Sequence, residues 1–293
     1  MRHSSHAGSL GVAQHDQGMA HQARSKRRRR AVVMGAGVLT AAVVLSGCTV
    51  NEILFLDLPE PVTKEGLTIQ SLWEGSWIAA WAVGIFTWAL MLWAAFAYRR
   101  RHKDDAPEQT KYNIPIELLY TVLPLIMIIG LFFFTARDQS EILTVNDDQD
   151  QTVEVVGFRW NWAFNYVDQD AYAVGTPDLP AELVLPVGEK IRFELVSPDV
   201  IHSFWVPDFL FKMDVIPGKR NVFELTPDKV GVYAGKCAEL CGVEHARMLF
   251  NVRVVEPAEY KQYIADLKTR GQGGLFDTGL STDAGTLPDE RTL

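Results

Sequence analysis

The chain has 293 residues, a formal net charge of −8 and 48% hydrophobic residues, enough for one sizeable domain with accessory segments. The acidic balance gives no footing for a nucleic-acid partner, and none is expected. The average composition looks soluble, but the apolar residues are gathered in runs, so the chain has to be read by segment.

Residues 1–47 read as a targeting signal. A polar, His/Gln-rich start leads to six basic residues among positions 24–30, and then to 16 apolar or small residues at 31–46. A basic stretch before a short apolar run has the form of a secretory signal. The run is shorter than the roughly 20 residues of a spanning helix. Its ending, Leu45-Ser46-Gly47-Cys48, resembles a bacterial lipoprotein box, with Cys48 lipidated as the first mature residue. An uncleaved helical anchor is the alternative. Removal of 1–47 leaves 21 basic and 35 acidic residues, a net charge of −14. It also leaves three histidines, His102, His202 and His245, and, besides Cys48, only Cys237 and Cys241.

After an outward segment at 48–76 come two apolar runs. Residues 77–98 carry no charge, and 22 residues at 1.5 Å each reach about 33 Å, enough to cross a bilayer core of about 30 Å. Residues 114–136 form the second run, broken only by Glu117 and bent at Pro124. The loop between them, 99–113, holds Arg99-Arg100-Arg101-His102-Lys103. Basic residues in a short loop mark the cytoplasmic side, so both outer ends face outward, as a lipid on Cys48 would require.

From Thr152 onward the period changes to short, partly alternating runs at 153–156, 190–195, 222–225 and 250–254, separated by Pro- and Gly-containing turns. This predicts an all-β sandwich or barrel over 137–256. Residues 257–270 read as a surface helix with Pro257 near its start and Gly271 past its end. Residues 271–293, rich in Gly, Thr and Asp, read as a disordered tail. In Phe158-Arg159-Trp160-Asn161-Trp162-Ala163-Phe164, a period of two puts Trp160, Trp162 and Phe164 on one strand face, which makes buried core the default reading.

The stretch Cys237-Ala238-Glu239-Leu240-Cys241-Gly242-Val243-Glu244-His245-Ala246-Arg247-Met248 presents two thiols, an imidazole and a thioether within twelve residues. Two cysteines on an oxidising face commonly pair as a disulfide. The two outward histidines and the methionine turn the reading toward copper, which soft sulfur and imidazole ligands select. Zinc is disfavoured because the spacing is not a common zinc pattern and a thioether suits zinc poorly. A mononuclear cupredoxin-type site needs one Cys, two His and a weak Met. The second thiol here could instead bridge two coppers, leaving one His for each.

With Val200-Ile201-His202-Ser203-Phe204-Trp205-Val206-Pro207 upstream, this stretch resembles the copper A domain of cytochrome c oxidase subunit II, over roughly residues 73–263. The resemblance implies a two-helix transmembrane hairpin followed by an all-β cupredoxin-like domain. It implies a dinuclear copper A centre on His202, Cys237, Cys241, His245 and Met248, with Glu239 binding through its backbone carbonyl. It also implies magnesium held by the Glu239 side chain at the subunit I interface, with Asp214 a candidate second ligand. Trp160 matches the family's exposed point of electron intake, although Arg159 stands where the family commonly has Gln. Asn113, Glu117, Thr121 and Pro124 resemble a pattern whose Glu sits at the mouth of a proton pathway, while a Glu in a helix's first turn also favours the helix dipole. The implied partners are oxidase subunit I, other oxidase subunits, membrane lipid and a cytochrome c, either soluble or fixed in a cytochrome bc complex. Acidic residues at 138–154 could steer a basic donor or simply solvate the surface. The placement expected is a bacterial cell membrane with the β domain outside. A related quinol oxidase subunit would lack the copper ligands, and a copper-delivery protein would need neither Trp160 nor Glu117.

Overall fold

A computed structural model describes residues 33–35, 37–38, 50–100, 109–176 and 178–277. Cys48, most of the signal region, residues 101–108 of the basic loop and residues 278–293 lie outside the described residues. The chain divides into two units, 1–57 and 58–293. Among its described residues the first contains the short helix α1, Val50–Phe55.

The second unit opens with two long helices, α2 (Lys64–Ala97) and α3 (Ile114–Leu143). Both are long and apolar enough to cross a membrane, and their apolar windows have no residue buried within the protein. They run beyond the apolar stretches read from sequence. At 34 and 30 residues they span about 51 and 45 Å, more than the hydrocarbon core requires. The extensions exist because each helix is tied to the β domain. Thr63 caps α2, its Oγ1 accepting from Gly66 N at 3.0 Å, which satisfies one orphan donor of the first turn. Lys64 N donates to Thr226 O at 3.0 Å, and Glu65 Oε2 accepts from Thr226 N at 2.8 Å.

Past the end of α3, the guanidinium of Arg192 donates to the Asn146 carbonyl and pairs with Glu224 at 3.1 Å, while Asn146 N donates to Glu224 Oε2 at 3.3 Å. Arg192 and Glu224 are largely withdrawn from water. Removing one partner of a buried pair leaves the other uncompensated. Arg192→Ala is therefore expected to destabilise the β domain by about 3 kcal/mol. The check is the chemical unfolding midpoint of the full chain, followed by tryptophan fluorescence; an unchanged midpoint would contradict it.

The β domain is two five-stranded sheets. The strands are β1 Gln151–Phe158, β2 Asn161–Tyr166, β3 Ala171–Val174, β4 Ala181–Pro186, β5 Ile191–Val196, β6 His202–Val206, β7 Phe211–Val215, β8 Asn221–Leu225, β9 Gly231–Cys237 and β10 Leu249–Val255. One sheet runs β3-β2-β1-β5-β8 and the other β4-β10-β9-β6-β7. Pairing is antiparallel except for β1 with β5 and β4 with β10. Along β1 the buried Val153 and Val155 alternate with partly exposed Thr152 and Glu154, the period that gives a sheet one apolar face. Between the sheets, Trp162, Phe164, Phe193, Phe204, Phe223 and Phe250 are fully buried in edge-on and stacked contacts. Each such ring contributes about 1.5–3 kcal/mol by leaving water.

Helix α4, Pro257–Thr269, packs Tyr260, Ile264 and Leu267 into this core. The chain beyond it departs from the disordered reading as far as Asp277. Tyr172 N donates to Gln272 O and Gly274 N to Asp170 O, along the free edge of β3. Phe276 stacks on Phe158 with centroids 5.6 Å apart, and Phe276 N donates to the buried Asn165 side chain at 2.8 Å. One aromatic ring and a sheet edge in need of partners outweigh the polar composition here.

Candidate metal centre

Three pieces of chain meet at the centre: the start of β6, the loop 238–248 between β9 and β10, and the β1–β2 turn. Cys237 N donates to Met248 O at 3.0 Å, which closes the loop, and Ala238 N donates to Ser203 O at 3.0 Å, which pins it to β6. Within the loop a 3-10 turn, His245–Arg247, brings His245 back toward the thiols.

The donor atoms converge. Cys237 Sγ lies 3.9 Å from Cys241 Sγ, 3.9 Å from His202 Nδ1 and 3.1 Å from Glu239 O. Cys241 Sγ lies 3.6 Å from His245 Nδ1 and 3.6 Å from Met248 Sδ. His202, Cys237, Cys241 and Met248 are all buried. The thiols are free, and 3.9 Å is nearly twice a disulfide's bond length of about 2.05 Å. At that spacing the two sulfurs, if deprotonated, could both serve as ligands at one metal site. With two imidazole nitrogens, a thioether and a carbonyl around two thiols, the set suits a soft transition metal.

The surroundings act differently on the individual donors. Burial alone would raise the Cys237 thiol, but hydrogen bonding with His202 and the backbone at Glu239 and Ser203 brings it below the ordinary range. Burial, with the charge of Cys237 beside it, drives Cys241 upward. Burial would lower His202, yet Cys237 and Asp199 raise it. Burial also works against Asp199 ionising, but donors from Arg159 N, His202 and Val200 N bring its carboxyl to about 2. His202 Nε2 meets Asp199 Oδ1 at 2.9 Å, which leaves Nδ1 facing Cys237. Such a partner fixes the tautomer and ring angle of a ligating histidine.

A family model, Cytochrome C oxidase subunit II, periplasmic domain, matches residues 151–255, the span of the β domain and its metal loop. The protein named "Probable cytochrome c oxidase subunit 2" of Streptomyces coelicolor is 44% identical, over 88% of this chain and 92% of that one. The chain belongs to the cytochrome c oxidase subunit II family. The Cytochrome c oxidase subunit 2 of Mycobacterium tuberculosis is 34% identical, over 81% of this chain and 82% of its own. The crystal structure of the periplasmic domain of subunit II of the Bradyrhizobium japonicum cytochrome oxidase is 33% identical, covers 43% of this chain and 99% of that one, and has a TM-score of 0.40. Family membership brings with it the copper A centre as the expected group, and the donor set here suits it. With two membrane-length helices and a periplasmic family domain, this subunit II chain is a membrane protein with an outer domain.

The other candidates fall in different places. Trp160 is not on the strand face with Trp162 and Phe164. It stands in the β1–β2 turn, 37% exposed, where the alternation of a strand no longer applies. Its indole Nε1 donates to Cys241 O at 3.2 Å, so a half-exposed ring touches the metal loop directly. Trp162 is fully buried, donates to Met248 O at 3.4 Å and meets the His202 ring edge-on. Glu117 lies in the first turn of α3, its Oε1 accepting from Asn113 N at 2.9 Å while the Asn113 side chain accepts from Ile116 N; this reciprocal cap is a structural task in its own right. Glu239 presents an exposed side chain, and Asp214 lies half-buried on β7. Among the described residues the one group of three His, Cys, Asp or Glu donors close enough to share an ion is His202, Cys237 and Cys241, and neither carboxylate joins it.

Two residues that the sequence reading passed over shape the site. Asp199 holds His202, as above; its place three residues before a candidate ligand was the available signal. Gly242 has φ +129, and a Cβ there would stand 2.9 Å from the Trp160 indole nitrogen. Only glycine combines that backbone angle with room for the ring.

Proposed function

We propose that this chain is the electron-accepting subunit of a respiratory cytochrome c oxidase, set between a cytochrome c on the outer face and haem in subunit I, where oxygen is reduced to water with proton translocation. We assign a dinuclear copper A centre to His202, Cys237, Cys241, His245 and Met248, with Glu239 contributing its carbonyl. The observation that carries the assignment is two unbonded, buried thiols 3.9 Å apart, flanked by two imidazole nitrogens and a thioether. Bound there, a copper pair would supply one-electron redox chemistry with little rearrangement. The protein's part is to hold the donors rigid, keep water out and present a route inward. The Trp160 ring, exposed on one side and bonded to Cys241 O on the other, supports a role at electron intake. Copper content and electron paramagnetic resonance of the full-length chain test the assignment: two coppers per chain sharing one unpaired electron are expected, whereas a single isolated copper would point to a delivery protein.

Glu117 is proposed as the mouth of a proton pathway. Membrane-embedded carboxylates are functional candidates, and the hydrogen bond from Asn113 N holds this one in the first turn of α3. In Glu117→Ala, proton uptake is expected to slow about tenfold, or about 1.4 kcal/mol in barrier, with copper content intact. Stopped-flow pH-indicator measurements on the oxidase would read this, and unchanged uptake would refute it. Magnesium held by Glu239 with subunit I, Asp214 being a candidate second ligand, and a lipid on Cys48 complete the proposal. Metal analysis of the purified complex and mass spectrometry of the mature N-terminus test these two.

A further inference from the structure

The Arg159 guanidinium leads from the surface to the metal centre in two steps. Arg159 stands in the β1–β2 turn beside Trp160 and lines a cleft of about 590 Å³ with Trp160, Asn161, Asp178, Glu244 and Arg247. Its backbone N and its Nε both donate to Asp199 Oδ2, at 2.8 and 3.3 Å. The other oxygen, Oδ1, accepts from His202 Nε2 at 2.9 Å and from Val200 N at 2.6 Å, and Ser197 Oγ lies 3.3 Å away. Each carboxylate oxygen thus has its own task, one toward the surface arginine and one toward the buried imidazole. On its far side His202 turns Nδ1 to Cys237, and Gly157 leaves room beside it, since a Cβ there would stand 3.1 Å from the Trp162 ring and 3.3 and 3.4 Å from His202 Cβ and Cδ2.

We propose that Arg159 is a positioning residue for the metal centre, acting through Asp199 to set the orientation and electron richness of the His202 ring. A carboxylate shared with a cation gives less negative charge to the imidazole it holds. Removing the guanidinium leaves Asp199 less compensated, makes His202 a stronger donor and stabilises the oxidised centre, so the reduction potential falls. This rests on the copper reading above.

The test is a double-mutant cycle on the copper-loaded full-length chain, using Arg159→Gln, Asp199→Asn and the pair. Arg159→Gln is expected to shift the reduction equilibrium about threefold toward the oxidised form, about 28 mV at 59 mV per tenfold for one electron. In the Asp199→Asn background the same change is expected to have no further effect. The paramagnetically shifted ring signals of His202 are expected to move in Arg159→Gln, with those of His245 unmoved. An equal potential shift in both backgrounds would overturn the proposal, because the guanidinium would then act through space without Asp199. Unmoved His202 signals would overturn it as well. If Arg159→Gln does not take up copper, Arg159→Lys, which keeps the charge and loses the Nε donor, is read in its place by the His202 signals. Absence of a copper pair in the unsubstituted chain would overturn the metal assignment itself, whereas a normal pair without the coupling overturns only the role of Arg159.

Discussion

Cys241→Ser is expected to halve the copper content of the chain and to abolish the resonance of a shared copper pair. Cys241 Sγ is the one atom in contact with Cys237, His245 and Met248 together, at 3.9, 3.6 and 3.6 Å. A serine oxygen is harder and shorter-reaching than a thiolate, so it neither suits copper nor spans the gap to a second metal. The fold should survive, because the loop is closed by backbone bonds from Cys237 to Met248 and from Ala238 to Ser203 that do not involve this side chain. Oxidase turnover with cytochrome c is expected to fall at least a hundredfold, more than about 2.7 kcal/mol in barrier. Elemental analysis with spectroscopy on the variant checks this, and a full copper complement would defeat it.

Trp160→Ala is expected to leave copper content and spectrum in place while lowering kcat/KM for reduced cytochrome c about a hundredfold, again about 2.7 kcal/mol. The indole is the half-exposed group whose nitrogen reaches Cys241 O, so its loss removes a contact between solvent and metal loop without removing a donor atom. Trp162→Ala should behave differently. That ring is fully buried against His202, Phe204 and Phe250, and removing it would cost about 3–5 kcal/mol of stability. Equal losses of folding and copper in both variants would mean that Trp160 is merely core.

The readable parts of this chain were those set by period and by chemistry crowded into a short stretch. Apolar runs gave both helices, alternation gave the β domain, and twelve residues gave most of the candidate donors that the fold brings together. The unread parts depend on contacts between distant segments. Lys64 begins a helix well before Trp77 because Thr226, more than 150 residues on, satisfies its first turn. Asp199 is an ordinary loop acid until β6 folds His202 onto it. Trp160 leaves the face predicted for it because the strand ends at Phe158. Phe276 is one aromatic in a polar tail, and nothing local reveals that Phe158 and Asn165 await it. Gly242 needs the Trp160 ring beside it before its missing side chain means anything.

The central claim is that two thiols, two imidazoles and a thioether hold a pair of coppers that behaves as one redox unit. Electron paramagnetic resonance of the copper-loaded full-length chain, recorded with a copper count on the same sample, addresses it most directly. Two coppers per chain with one unpaired electron shared equally between them is the expected result. One copper per chain, or two with separate signals, would contradict it.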